Sequence, residues 1–111
     1  MQNDAPDLNP EAMRAAATAA CGLLKSLSHP ARLLLLCQLV RGEACVSELE
    51  QATGIVQPSL SQQLGVLREE GLVETRREGK QIFYRLASRE AQAMLALLYS
   101  LYCPTPTRND S

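Results

Sequence analysis

This 111-residue sequence predicts a mainly α-helical fold carrying one small β-hairpin, on three observations. Apolar residues recur at helical spacing through most of the chain. Residues 46–72, VSELEQATGIVQPSLSQQLGVLREEGL, read as two short helices joined by a tight turn, a helix-turn-helix. After Gly71 the pattern changes: LVETRR and QIFYRLA alternate in twos around Glu78, Gly79 and Lys80, a short glycine-containing hairpin turn.

Taken in order, residues 1–7 carry Pro, Asp and Asn with little to bury, and a disordered arm is expected there. Residues 8–103 are expected to form one domain, followed by a disordered, proline-punctuated tail, PTPTRNDS, at 104–111. The alanine-rich run at 8–27 has high helix propensity, with Pro10 near its start where proline is tolerated. Its small residues allow a neighbour to come close, so it reads as a dimer-facing helix. Ser28, His29 and Pro30 interrupt, and Pro30 is well placed at the first turn of the next helix. A second helix at 31–40 is expected to be mostly core, with Leu33, Leu34, Leu36, Cys37 and Val40 covering more than one face, and Arg41, Gly42 and Glu43 end it in a turn.

In the helix-turn-helix, Ser47 with Glu50 three residues on has capping-box spacing, and Ala52, Thr53 and Gly54 close the first helix. Leu60, Leu64 and Leu67 form the apolar stripe of the second. In the hairpin, Ile82, Tyr84 and Leu86 share one face and Phe83 and Arg85 the other. Ser88 caps a last helix at 89–102 whose Met94, Leu95, Leu97, Leu98, Leu101 and Tyr102 are too apolar for an exposed monomer surface, so it needs a partner.

A composition of 46% apolar and 21% charged residues is that of an ordinary soluble helix-rich domain rather than a disordered chain. The net charge of −1 argues against a nonspecific polycation, so any affinity for phosphate must come from local Lys and Arg. No basic segment followed by an apolar run opens the chain, and the longest apolar stretch, 93–103, is broken by Ser100 and too short to span a bilayer. Cytoplasmic residence without membrane contact is expected. In a reducing compartment the four cysteines are packing residues, metal ligands or redox sensors rather than a disulfide framework.

Off its apolar stripe the helix at 57–67 displays Gln57, Ser59, Ser61, Gln62 and Gln63, side chains that both donate and accept hydrogen bonds, as base edges require. No charged residue occurs from Gln51 to Leu67, which suits a helix lying in a major groove between rows of phosphates. Taken alone, these residues equally fit a polar surface helix of a bundle. Arg76, Arg77, Lys80 and Arg85 put positive charge around the hairpin, opposed by Glu74 and Glu78, for phosphate or minor-groove contact; a merely solvated hairpin is the alternative.

In this order of elements the chain resembles the ArsR/SmtB family of small winged-helix bacterial repressors over residues 8–103. The stretch carrying the resemblance is LLKSLSHPARLLLLCQLVRGEACVSELEQATGIVQPSLSQQLGVLREEGLVETRREGKQIFYRL, above all LSHPxR ahead of an apolar helix, SQQLGVLREEGLV, and a wing ending in IFYRL. The resemblance implies a winged helix-turn-helix homodimer. It also implies binding to pseudo-palindromic double-stranded operator DNA, released on sensing a metal or thiol-reactive signal, without enzymatic activity, catalytic residues or a cofactor. Arsenite-sensing members carry a cluster CVCDLC, where this chain has Cys45-Val46-Ser47-Glu48-Leu49-Glu50, one thiol of three. Zinc- or cobalt-sensing members use His, Asp and Glu on the last helix, where this chain has only Glu90. No metal site is therefore expected, although an unconventional one using Cys21, His29 or Cys45 stays open as the alternative. His29 itself belongs to the shared SHPxR turn and reads as structural.

Cys37, in LLLLCQLV, and Cys103, in LYSLYC, resemble the sulfide- and persulfide-responsive, biofilm-growth-repressor type of branch of the family. The resemblance implies that these two thiols couple on exposure to reactive sulfur species, as a disulfide or a sulfur-bridged linkage, and that the coupled protein releases its operator. The residues alone leave Cys37 open as a buried, inert hydrophobe. Cys21 reads as dimer or core packing, and Cys45 is given no role.

Overall fold

The computed structural model describes residues 9–103, so the arm expected at 1–7 and the tail expected at 104–111 lie outside the described residues. Its elements run α1 (Pro10–Leu27), α2 (Pro30–Val40), β1 (Ala44–Cys45), α3 (Val46–Thr53), α4 (Ser59–Glu69), β2 (Val73–Glu78), β3 (Gln81–Leu86) and α5 (Arg89–Tyr102). The helix starts are written in local chemistry. Asn9 accepts from the Ala12 N–H at 2.7 Å and Ser88 from the Ala91 N–H at 3.0 Å, each satisfying a donor that the first turn leaves without a helical partner. At α2 the Nδ1 of His29 accepts from the Ala31 N–H at 3.2 Å with Pro30 in the first helical position, which gives the histidine the structural role expected of it.

The core forms where α2 crosses the helix-turn-helix. Leu35, Leu36 and Leu39 of α2 pack with Leu49 of α3, Leu60, Leu64 and Leu67 of α4, and Ala91 and Leu95 of α5 in one buried cluster. Gly54 ends α3 at φ 76°, the left-handed conformation that lets the chain turn sharply into α4. Behind α4, three antiparallel strands pair in the order β1-β3-β2, with Glu78 opposite Gln81 across the two-residue turn. Tyr84 and Leu86 pack towards the core, so the wing is anchored to the same cluster.

Several expectations change. Strand β1 is not legible in the sequence; it pairs Ala44 with Tyr84 and Cys45 with Phe83 and holds Cys45 extended immediately before α3. That moves the cap back by two residues: Cys45 stands at the N-cap and its N–H donates to Glu48 Oε1 at 2.9 Å, in place of Ser47 and Glu50. Helix α4 begins at Ser59, with Gln57 and Pro58 before it, and runs on to Glu69. In α2 the buried residues are Leu35, Leu36 and Leu39, whereas Leu33 and Cys37 are only partly buried and Leu34 and Val40 are exposed. A helix apolar on every side gives no periodicity from which to choose the inward face.

Leu36→Ala is expected to cost about 2–5 kcal/mol of stability in urea unfolding, since it opens a cavity in the closed cluster. Leu34→Ala, at a position 52% exposed, should cost about 1 kcal/mol or less.

Candidate functional site

Helix α4 turns Leu60, Leu64 and Leu67 inward and leaves Ser61, Gln62 and Gly65 outward, with Ser59 and Gln63 half-buried at its flanks. The candidates therefore divide. Ser61 and Gln62 face solvent, and Gln57, ahead of the helix, accepts from the Ser61 N–H at 3.0 Å and so caps its start. The Gln63 amide oxygen instead accepts from Nη1 of Arg32 on α2 at 3.2 Å. Gly65 was not singled out by sequence reasoning. A Cβ built there meets no atom within 4 Å, so nothing in the chain requires a glycine, which costs a helix interior about 1 kcal/mol relative to alanine. Its absent side chain leaves the outward face of α4 open to close approach from outside. An isolated glycine within a helical stripe was the available signal.

In the wing, the Arg76 guanidinium grips both oxygens of Glu43 at 2.8 and 2.9 Å, reaches Glu78 at 2.7 Å, and lies 4.7 Å over the Phe83 ring. The hydrogen bonds from Arg76 hold the Glu43 carboxyl below the usual carboxylate range, and the same bonds to Glu43 and Glu78 push the guanidinium further from deprotonation. Arg85 pairs with Glu74. Among the described residues Arg77 and Lys80 make no ion pair and stand exposed near the hairpin tip.

Cys37 and Cys103 line one open cleft of about 570 Å³ between the carboxyl ends of α2 and α5, walled by Val40, Leu95 and Tyr99. Both are free thiols, Cys37 partly buried and Cys103 exposed. Burial, and then the neighbouring Cys103, push the Cys37 thiol above its ordinary value, which keeps it protonated at neutral pH. Cys21 is exposed on α1, and Cys45 is buried with its Sγ 3.3 Å from Ser47 Oγ. Among the described residues no three His, Cys, Asp or Glu side chains group as a metal site, and no helix is long and apolar enough to cross a membrane.

Residues 29–75 match the model of the bacterial regulatory proteins of the arsR family. The chain is 55% identical over 101 residues to the biofilm growth-associated repressor of Xylella fastidiosa strain Temecula1, covering 91% of this chain and 89% of that one. Its fold superposes on the crystal structure of the transcriptional repressor BigR from Xylella fastidiosa with a TM-score of 0.80 at 55% identity, covering 88% of this chain and all of the other. It also resembles the homodimeric winged helix-turn-helix DNA-binding domain Mb0332 of Mycobacterium bovis, with a TM-score of 0.71 at 30% identity, over 87% of this chain and 89% of that one. These relatives are regulators rather than enzymes, and the helix-turn-helix followed by a β-wing is the architecture seen here. The chain belongs to the arsR family of bacterial regulatory proteins.

Proposed function

We propose that the chain is a homodimeric repressor that binds operator DNA through α4 and the wing and releases it when reactive sulfur species cross-link Cys37 to Cys103. The observation that carries the sensing half is the single cleft lined by two thiols distant in sequence. The DNA-binding half is supported by the relatives, by the absence of charge on α4 from Ser59 to Leu67, and by the exposed cations Arg77 and Lys80 of the wing. Ser61 and Gln62 are the candidates for base edges, Gln57 and Ser59 for the approach at the helix start, and Arg77 and Lys80 for phosphate. Arg76 and Gln63 are held by protein partners and contribute by position. Exposed apolar side chains on α1 and α5, Met13, Leu24, Leu97, Leu101 and Tyr102, supply the surface that a second copy would cover.

The chemistry follows from the unequal thiols. Exposed Cys103 attacks the sulfane sulfur of a hydropersulfide, RSSH, giving Cys103–SSH and RSH. Cys37 then attacks the Cys103 sulfur, closing a Cys37–Cys103 disulfide and expelling hydrogen sulfide, with the two electrons taken up by the sulfane sulfur. If Cys37 is itself persulfidated, the two persulfides condense to a trisulfide and hydrogen sulfide, and the trisulfide spans a longer gap. Either link ties α2 to α5. Because α2 packs directly on α4, the link biases the spacing of the two recognition helices across the dimer.

Operator affinity is expected to fall about ten-fold or more after treatment with a persulfide donor, with the Cys37–Cys103 linkage visible by mass spectrometry. Cys37→Ser and Cys103→Ser proteins should bind and no longer respond; a treated wild type that still binds as tightly as the reduced protein would defeat the assignment.

The raised Cys37 value makes a pH prediction. A higher pKa means less thiolate at any given neutral pH, so peptide-mapped alkylation of Cys37 should be slow near pH 7 and keep accelerating beyond about pH 8.5. A rate already level by about pH 7.5 would contradict it.

Gly65→Ala should act in opposite directions on stability and binding. Unfolding free energy should rise by about 0.5–1 kcal/mol, while operator affinity should drop by about ten-fold as the new methyl meets DNA. Unchanged affinity would remove Gly65 from the interface.

A further inference from the structure

We propose that Arg32 is a positioning residue for DNA recognition: one guanidinium joins the carboxyl end of α1 to the side chain of Gln63 on α4, so that the pose of the recognition helix follows that of α1. The inference rests on the DNA-binding reading above and adds a residue that touches no DNA. Arg32 Nε donates to the Ser26 carbonyl at 3.0 Å and Nη2 to the Lys25 carbonyl at 3.3 Å, while Nη1 reaches Gln63 Oε1 at 3.2 Å. Both acceptors are carbonyls of the last turn of α1, where the helix dipole also favours a cation, and the Lys25 carbonyl additionally accepts from the N–H and the hydroxyl of Ser28.

Arginine has no acceptor atom, so the Gln63 oxygen must face it and the amide nitrogen must point away. Among the described residues this is the only side chain–side chain hydrogen bond or ion pair that ties α4 to another element. The remaining hold on α4 comes from Leu60, Leu64 and Leu67, and apolar packing is non-directional. The Arg32 bridge therefore adds to that packing a directional restraint on how α4 is rotated and where it sits along its axis. Lysine cannot replace it, because a single ammonium lacks the planar fork that meets three acceptors on two helices.

The test uses the full chain and a pseudo-palindromic duplex that the wild type selects from a random DNA pool. Affinity, its dependence on salt, and thermal stability are measured for Arg32→Lys, Gln63→Leu and the double variant. Arg32→Lys and Gln63→Leu should each weaken binding about ten-fold, and the double variant should be no weaker than the worse single one, because both break the same bridge. The salt slope should stay at its wild-type value, since no phosphate contact is lost. Gln63→Leu leaves the α1 contacts intact, so it decides the matter if Arg32→Lys folds poorly. Losses that multiply in the double variant, wild-type affinity in Gln63→Leu, or a salt slope smaller by about one contact in Arg32→Lys would overturn the inference. A wild type that selects no DNA sequence at all would instead overturn the DNA-binding reading, and this inference with it.

Discussion

The packing of α2 against α4 is the interaction on which the rest of the molecule depends. Leu35, Leu36 and Leu39 meet Leu60, Leu64 and Leu67 in one closed cluster, and a tightly packed core transmits displacement rather than absorbing it. Helix α2 also carries Cys37 near one end and Arg32 near the other. A single rigid segment thus touches the thiol cleft, the end of α1 and helix α4. A small cross-link at one end can alter a large protein–DNA contact only if the material between them is stiff, and eleven residues of helix buried on one side satisfy that condition.

Charge in the wing is arranged with comparable economy. Arg76 is committed three ways, to Glu43, Glu78 and the face of Phe83, which fastens the loop between α2 and β1 to the hairpin. Exposed ion pairs contribute little to stability one by one. Their effect here is to fix where the hairpin sits and to leave Arg77 and Lys80 as the wing's cations without acidic partners among the described residues. A chain with a net charge of −1 can still present a locally positive edge in this way.

The major elements were legible because their signals are local. Ser88 capping α5, Pro30 opening α2, Gly54 closing α3 and the glycine turn of the wing are each written within a few residues. What escaped was set by contacts distant in sequence. Strand β1 is two residues long and exists only because β3 lies beside it, and it displaced the cap of α3 from Ser47 to Cys45. The inward face of α2 could not be chosen when nearly every residue from Leu33 to Val40 is apolar. The same limit applies at the site. The uncharged helix and the cysteine pair stood out, the pair through family resemblance, but the engagement of Gln63 by Arg32 and of Arg76 by Glu43 required the fold.

The central claim is that a link between α2 and α5 is felt at α4. Hydrogen–deuterium exchange of the dimer's backbone amides, compared between reduced protein and protein cross-linked by a persulfide donor, tests it without reference to any operator. The account predicts altered protection in α2 and, beyond it, in α4 and the wing. A change confined to the carboxyl ends of α2 and α5, with α4 exchanging as in the reduced protein, would contradict it.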